Sequence, residues 1–415
     1  MTLLSPFIAE AHRTYVEANA RCLDWLLDRP ALGPGFLNSK QNSITLADYG
    51  IDDGLRGPAY TYGWIQGRGL EALATHAEYF ARSQRDLTEK IDAAGRRLYA
   101  ILADLWAQDG HAYFCYDADM QPIIAGAHGS EGRQAQAREI HTYSDIFVLK
   151  GLIAAAARYD HPALDGYVAQ LPALIEAIEG GRFLMNERQR IGREALAAQE
   201  DDFGPRMILL GAAGMLRRLG RGEAAAFADR FVAHVLGRHF DPVSGLLRNV
   251  PGSDTCNVGH GIELVGFALD YLPADADDRL VRQLETVLLA SFEAGFHGPG
   301  LRLAVSVATG APQSPYCPWW SLPETIRAAA FCFERTGNPQ VLEVWRKAHA
   351  AFFSWFWRGE PPLAYQTRTD EGPADFVPAT PDLDPGYHTG LSLLAAIQVA
   401  ERMGAGQSLR SNTGA

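Results

Sequence analysis

Hydrophobic residues along most of the chain recur at intervals of three and four positions, and strand-like alternation is rare. Apolar positions at i, i+3, i+4 and i+7 share one face of an α-helix, so the pattern predicts a helical protein. The predicted helices cover residues 6–27, 64–83, 87–108, 142–159, 163–180, 205–219, 222–238, 259–272, 276–294, 320–336, 339–357 and 387–403. Two extended pieces, 111–117 and 300–305, are predicted as short strand segments at the edges of loops.

The even-numbered helices of this series share features that the odd-numbered ones lack. Each follows a long loop rich in glycine, proline and aromatic residues, and segments such as 151–156 and 211–214 are rich in alanine and glycine. Because small residues allow helices to approach closely, we expect these helices to form an inner ring covered by the more charged odd helices. Six such pairs predict an all-α (α/α)6 barrel with short β segments in the mouth loops, the loops at which the inner helices begin. The barrel is predicted as one catalytic domain over residues 1–403, followed by a flexible tail over 404–415.

The composition is that of a soluble globular enzyme, with 47% hydrophobic and 21% charged residues among 415. A formal net charge of −12 without a basic run argues against a nucleic-acid partner. No segment approaches the apolar run of ~18 residues that a membrane helix needs, and the N-terminus lacks a signal-peptide pattern, so we expect a cytoplasmic protein without membrane contact. The five cysteines lack CxxC spacing, which favours free thiols and no metal site.

The most suggestive local pattern is residues 259–263, Gly-His-Gly-Ile-Glu, at the start of a predicted helix. His260 and Glu263 are three positions apart, so their side chains leave the same face of the first turn. A histidine with a carboxylate beside it is a base with an orienting partner. A structural histidine held by its own helix neighbour is the alternative interpretation.

Five short motifs occur in the order and with the spacing of a known family. Residues 64–68 are similar to its W-x-Q-G-R motif, 143–149 to Y-D-x-A-F-x-L and 259–263 to G-H-x-x-E. Residues 319–324 are similar to W-W-x-x-x-E, and 387–388 stand where the family has F-H. Through these motifs nearly the whole chain resembles the N-acylglucosamine 2-epimerase superfamily, which includes cellobiose 2-epimerases and mannose/glucose isomerases. The resemblance implies a sugar 2-epimerase or aldose–ketose isomerase that uses no redox cofactor.

The sequence departs from this family at two places. Where the family has N-P-H-M-H-L-x-E, Ile208 replaces a histidine and Gly211 replaces a glutamate. After His388 the chain continues Thr-Gly-Leu instead of x-P-R. The sugar of the better-known family members therefore cannot be transferred to this chain.

Epimerisation at C2 requires removal of the proton next to the carbonyl and return of a proton to the opposite face of an enediolate. Histidine is suited to both steps because its unperturbed pKa is about 6.5. We therefore expect His260 and His388 to be the catalytic acid and base, Glu263 to orient His260, and Arg68 to stabilise the developing oxyanion. We expect the protein to bind a small sugar and to be a monomer or a homodimer. The residues predicted to bind it are Tyr60, Trp64, Gln66, His141, Trp319, Trp320, Glu324 and Tyr387.

The same residues are compatible with several alternatives. Arg68 can be a structural ion-pair partner of Glu71 or Asp145, and the tryptophan pair 319–320 can belong to the core. A glycoside hydrolase on the same fold would use carboxylates as acid and base, here Asp145, Glu263 and Glu324. Two alternatives remain. One is an inactive sugar-binding protein, and the other is a metal site formed by His260 and Glu263.

Overall fold

The computed structural model of the protein describes residues 5–126, 129–376 and 382–412. The α-helices are α1 (Pro6–Asp28), α2 (Gly63–Phe80), α3 (Arg85–Asp109), α4 (Tyr143–Tyr159), α5 (His161–Val168), α6 (Leu171–Glu179), α7 (Arg193–Ala197), α8 (Gly204–Leu210), α9 (Ala213–Arg218), α10 (Phe227–Arg238), α11 (Val258–Tyr271), α12 (Asp278–Gly295), α13 (Ser321–Thr336), α14 (Pro339–Ala351) and α15 (Ser392–Asn412). In this described part of the chain, no helix combines the length and the apolar character that crossing a membrane requires.

The strands are short and lie in the loops between helices. They are β1 (Thr61–Tyr62), β2 (Cys115–Tyr116), β3 (Pro122–Ala125), β4 (Ser130–Arg133), β5 (His141–Thr142), β6 (Phe183–Leu184), β7 (Thr255–Asn257), β8 (Phe296–His297), β9 (Gly300–Leu301), β10 (Ala304–Ser306), β11 (Cys317–Pro318), β12 (Thr367–Thr369) and β13 (Gly372–Pro373). Strands β1 to β4 form one sheet in chain order, and β11 to β13 form another. β7 pairs with β10, β8 with β9, and β5 runs parallel to β6.

The chain forms two compact units. The first unit contains the described residues within 1–22, 228–377 and 388–415, and the second contains those within 23–227 and 378–387. In the first unit α11 packs against α12 and α13, and α13 also packs against α14 and α15. In the second unit α4 packs against α2, α3 and α5.

Glycines bring α2 and α4 into backbone contact in the second unit. A Cβ added at Gly67 would lie 2.6 Å from the backbone carbonyl carbon of Phe147, and one at Gly151 would lie 2.5 Å from the carbonyl oxygen of Gly67. Contacts this short are not possible for a real side chain, so both positions require glycine. The small residues that the sequence placed on these two helices therefore allow their close approach.

Most helix predictions are confirmed to within a few residues. The helix predicted over 163–180 is divided into α5 and α6, because Pro172 begins a new helix. The helix predicted over 205–219 is likewise divided into α8 and α9. The predicted helices ending at 357 and beginning at 387 include π-helical turns, Phe352–Phe356 and Tyr387–Leu391. α15 continues to Asn412, past its predicted end, while residues 413–415 of the predicted tail lie outside the described residues. The single-domain boundary at 403 stays a prediction.

Candidate active site

The start of α11 is fixed by the loop in front of it. β7 pairs with β10, and the backbone N–H of Val258 donates to the carbonyl of Leu303 at 3.0 Å. Asn257 caps the helix, since its Oδ1 accepts the backbone N–H of His260 at 3.3 Å. His260 is thus held in the first helical turn, half-buried, with its backbone anchored on both sides.

Gly259 leaves room for an indole ring against this turn. A Cβ at position 259 would lie 2.7 Å from Cη2 of Trp320 and 2.9 Å from Cδ2 of Leu303. Both distances are well below van der Waals contact. The glycine before His260 is therefore required for Trp320 to pack here.

Trp320 lies beside both predicted catalytic histidines. Its ring centroid is 6.0 Å from that of His260, at an interplanar angle of 31°, and 5.4 Å from that of His388, at 33°. The ring of Trp319 meets His388 edge-on at 6.3 Å. The structure therefore brings His260 and His388, which are far apart in sequence, to one half-buried tryptophan within the first unit.

His388 is held by a buried carboxylate. Its Nδ1 donates to Oε1 of Glu324 at 2.9 Å, and the other oxygen of Glu324 lies 3.1 Å from Nη1 of Arg327. The Glu324 side chain is 0% exposed. Burial acts to raise the pKa of Glu324, but the charge of Arg327 and the hydrogen bond from His388 outweigh it, so the pKa lies below its usual value. Glu324 is therefore an ionised partner that orients His388, and its predicted contact with a sugar stays a prediction.

Glu263 lies beside this pair. One of its carboxylate oxygens is within 4.8 Å of a ligand atom of Glu324 and of His388, and all three side chains are buried. Three such groups are also a possible set of metal ligands, but Arg327 already supplies a positive charge to Glu324. Glu263 thus lies close to His388. That Glu263 orients His260 stays a prediction.

The side chain of Asn249 contacts the ring of His260. Asn249 Nδ2 is 3.1 Å from His260 Nδ1, and Asn249 Oδ1 accepts the backbone N–H of Asn257 at 2.6 Å. The loop around Asn249 is itself anchored, because Arg248 donates to Asp241 at 2.6 Å. No motif in the sequence relates Asn249 to His260.

In the second unit, Arg68 is surrounded by aromatic rings. Its guanidinium carbon lies 4.1 Å from the ring centroid of Phe147, 4.6 Å from that of Trp64 and 5.1 Å from that of Tyr387. Among the described residues no carboxylate pairs with Arg68, so the structural ion pair considered above is wrong. Cation–π contacts hold the guanidinium in place instead. Its predicted role as an oxyanion stabiliser stays a prediction.

One wall of this aromatic cluster is fixed by a buried lysine. Lys150 Nζ donates to the hydroxyl of Tyr387 at 2.7 Å and lies 3.2 Å from Oε2 of Glu71. Tyr387 is 2% exposed, so its ring is a buried wall of this cluster. Its predicted contact with a sugar stays a prediction.

The remaining residues predicted to bind sugar have different environments in the second unit. Gln66 is buried, and its amide pairs with both the N–H and the carbonyl of Leu37, at 2.9 and 3.1 Å. The Gln66 amide thus has a structural role, and its predicted contact with a sugar stays a prediction. Trp64 is buried among aromatic rings, whereas Tyr60 and His141 are half-buried and stay predictions.

Asp145 has a structural role at the start of α4. Its two carboxylate oxygens accept the backbone N–H groups of Ala112 and Thr142, each at 2.7 Å. Asp145 also lies 3.3 Å from Nδ1 of His111. Burial acts to lower the pKa of His111, but the hydrogen bond to Asp145 and its charge outweigh burial and raise it. Asp145 therefore caps a helix and pairs with a histidine, which is not the environment of a free catalytic acid.

The sequence-based predictions did not include Arg327, Lys150 or Asn249, which lie at or near these clusters. The sequence contains a signal for the first two and none for the third. Arg327 follows Glu324 by three positions on one helix, so i,i+3 spacing could have identified this pair. Lys150 is the one charged residue in the apolar run 146–157 of α4, which indicates a buried partner. Asn249 lies in an irregular loop, where no periodicity relates it to His260.

Solved structures similar to this chain are (α/α)6 barrels, and the predicted all-α (α/α)6 class is confirmed. They include cellobiose 2-epimerase from Spirochaeta thermophila DSM 6192, with a TM-score of 0.73 at 14% identity over 97% of this chain and 100% of that one. D-mannose isomerase aligns with a TM-score of 0.70 at 11% identity over 93% and 98% of the two chains. A family 76 glycoside hydrolase from a bovine Bacteroides thetaiotaomicron strain aligns with a TM-score of 0.57 at 11% identity over 94% and 78%.

These likenesses establish the fold, which is the one found in the N-acylglucosamine 2-epimerase superfamily. No protein-family model matches the chain, and no curated protein sequence matches it either.

Proposed function

We propose that the protein is a sugar epimerase or aldose–ketose isomerase in which His260 and His388 exchange protons with the carbon next to the sugar carbonyl. The observation that carries the proposal is the placement of both imidazoles against the indole of Trp320. The half-buried tryptophans at 319 and 320 offer flat apolar faces of the kind on which sugar C–H groups pack. A sugar on this surface would have a histidine within reach of its reacting carbon.

The hydrogen bond between His388 and Glu324 supports a base at position 388. A carboxylate only accepts, so Nδ1 of His388 carries the proton in this contact, and the neutral ring has its lone pair on Nε2. Ionised Glu324 also favours the imidazolium that forms when His388 takes a proton. This is the arrangement of a general base with an orienting carboxylate.

The reaction begins with an open-chain sugar. His388 Nε2 takes the proton from C2, and the electron pair of that C–H bond forms the C1–C2 double bond of an enediolate as the carbonyl electrons move to O1. Delivery of a proton to the opposite face of C2 and loss of the charge on O1 as the carbonyl re-forms give the 2-epimer. Delivery to C1, with the proton of the O2 hydroxyl passing to O1, gives the ketose. In both cases the acceptor loses a proton and the donor regains one through solvent, so the enzyme returns to its starting state.

A glycoside hydrolase on the same fold is the competing function, since one of the similar structures is such an enzyme. A hydrolase needs a protonated carboxylic acid to donate to the leaving oxygen. Glu324 has a lowered pKa and Asp145 accepts two backbone N–H groups, so neither suits that role. Of the three candidate carboxylates only Glu263 remains, whereas a hydrolase of this kind uses a pair. The residues of the site therefore favour histidine chemistry.

The proposal is tested by incubating the wild-type protein with a panel of free aldoses and ketoses, including disaccharides, and identifying products by NMR. We expect one sugar or a related group to give a 2-epimer or ketose. His260→Gln and His388→Gln should each lose turnover while retaining the wild-type melting temperature to within a few degrees. Release of a monosaccharide from a glycoside by the His260→Gln variant would instead identify the hydrolase.

A further inference from the structure

Arg327 lies behind the proposed base, and we infer that its charge, acting through Glu324, keeps the His388 ring in the neutral form that can take a proton. The inference rests on the proposed function, because it concerns the proton acceptor of that same site. Arg327 itself touches neither the sugar nor the reacting carbon in this scheme. It is a positioning residue that acts through its neighbours.

One carboxylate connects the three side chains. Oε1 of Glu324 accepts from Nδ1 of His388 at 2.9 Å, and Oε2 of Glu324 lies 3.1 Å from Nη1 of Arg327. The exposed fraction of the side chain is 8% for His388, 0% for Glu324 and 6% for Arg327. Little water can screen charges at this depth, so the charge of each group acts strongly on the ionisation of the others.

The carboxyl groups around His388 favour its protonation. Glu324 comes from α13, and Glu263 comes from α11, with an oxygen within 4.8 Å of a ligand atom of both Glu324 and His388. His260, also on α11, lies on the other side of the shared Trp320 contact. An ionised carboxylate beside an imidazole stabilises the imidazolium. Two such groups alone would favour an imidazolium, which has no lone pair on Nε2 with which to take a proton.

Arg327 offsets these carboxyl groups. Its positive charge disfavours the arrival of a further proton on the Glu324–His388 pair, whichever of the two residues would hold that proton. Burial acts to raise the pKa of Glu324, but the charge of Arg327 and the hydrogen bond from His388 hold this pKa below its usual value. Glu324 therefore stays ionised and accepts from Nδ1, while Nε2 of His388 keeps its lone pair.

The side chain of Arg327 is held in place by α11. A Cβ at Gly266 would lie 3.2 Å from Cδ and 3.6 Å from Cγ of Arg327, so the glycine leaves room for the stem of the arginine. The guanidinium carbon lies 4.9 Å from the ring centroid of Phe267, which is within cation–π range. Packing as well as the ion pair therefore fixes the charge beside Glu324.

The matched variants are Arg327→Met, which removes the charge but keeps an unbranched chain, and Arg327→Lys, which keeps the charge. In Arg327→Met we expect the acidic limb of the pH–rate profile to move upward by about one pH unit or more, with the sugar found in the product screen as substrate. Turnover on the acidic side should then fall about 10-fold or more, because less of the base is unprotonated, and approach the wild-type value on the alkaline side. Arg327→Lys should keep the limb near its wild-type position.

Arg335→Met is the control, because it removes the same charge from the same helix. Arg335 is eight positions after Arg327, about 12 Å along α13, and donates to the carbonyls of Leu269 and Leu272 at 3.1 and 2.5 Å. It should leave the acidic limb unchanged even where it lowers stability. A loss of turnover in Arg327→Met by the same factor at every pH would show a purely structural role and overturn the inference.

The direct readout is a pH titration of the His388 ring in sugar-free protein labelled with ¹⁵N-histidine. The His388→Gln variant identifies the signal of this ring among the 12 histidines. We expect a wild-type ring that is neutral at pH 7 with its proton on Nδ1, and a higher titration midpoint in Arg327→Met. Because the wild-type titration alone can contradict the inference, the test does not depend on the stability of the variant.

The outcomes separate this inference from the proposed function. A wild-type His388 that is an imidazolium at pH 7 overturns the inference, even if the protein epimerises sugars. An unchanged titration midpoint in Arg327→Met overturns it as well. A neutral wild-type ring and the expected shift in Arg327→Met, in a protein that turns over no sugar, refute the proposed function and leave the effect of Arg327 on His388 in place.

Discussion

Replacement of Gly259 by alanine tests the packing that brings Trp320 beside the two histidines. Alanine usually stabilises a helical position relative to glycine by about 0.5–1 kcal/mol, because the unfolded glycine has more conformational freedom. At this position, however, the new Cβ would lie 2.7 Å from Trp320 and 2.9 Å from Leu303. Displacing well-packed side chains costs typically 1–3 kcal/mol. We therefore expect Gly259→Ala to lower the free energy of unfolding by about 1 kcal/mol.

A control for this substitution lies in the same unit. Gly237 is near the end of α10, and nothing lies within 4 Å of the position that its Cβ would occupy. Gly237→Ala should therefore leave stability unchanged or raise it by up to about 1 kcal/mol. Urea unfolding followed by circular dichroism compares the two variants under identical conditions.

The effect on turnover should exceed the effect on stability. Alanine at position 259 has to move the indole of Trp320, and this indole contacts the rings of both His260 and His388. Misplacement of a reacting group by about 1 Å costs on the order of 10²-fold in rate. We expect turnover of the identified sugar to fall by that order in Gly259→Ala and to remain unchanged in Gly237→Ala. If Gly259→Ala were as stable and as active as Gly237→Ala, the packing of Trp320 against α11 would have no role in holding the site.

Three further predictions concern buried charges. Glu324→Gln should reduce turnover by about 10²-fold, because His388 loses its ionised partner, and this is measured by steady-state kinetics at saturating sugar beside a circular dichroism spectrum. Lys150→Met should destabilise the protein by about 3–5 kcal/mol because it leaves a buried carboxylate uncompensated, and unfolding of the double variant Lys150→Met/Glu71→Gln should show partial recovery. The raised pKa of His111 implies stability that is fully present below its usual pKa of 6.5 and is lost as pH rises through the folded value. In Asp145→Asn the melting temperature should fall less steeply as pH rises through this range. An unchanged slope would contradict the pairing of His111 with Asp145.

The sequence predicted the helices because their apolar periodicity is long and regular. It also predicted the close approach of α2 and α4, where glycines at 67 and 151 meet the opposite backbone. Divisions within predicted helices were missed, since Pro172 fits the first turn of a new helix as well as it fits a kink. The π-helical turn at 387–391 has no periodicity of its own and was read as ordinary helix.

The motifs selected the residues of the site. They did not determine what each of these residues contacts. His260 and His388 were selected by motif, and folding brings them to one tryptophan. Glu324 and Gln66 were assigned to the sugar because they belong to the motifs at residues 319–324 and 64–68. Whether such a side chain faces a ligand or pairs with the protein depends on tertiary contacts, such as those of Arg327 and Leu37, which sequence spacing does not contain.

Solvent hydrogen exchange tests the central claim most directly. The wild-type protein and the single variants His260→Gln and His388→Gln are incubated with the same sugars in heavy water, and deuterium at the carbon next to the carbonyl is followed by NMR. We predict deuterium at this carbon in the product of the wild type and none above background with either variant. Demonstrable binding without deuterium uptake from any sugar, or uptake that is undiminished in both variants, would contradict the account.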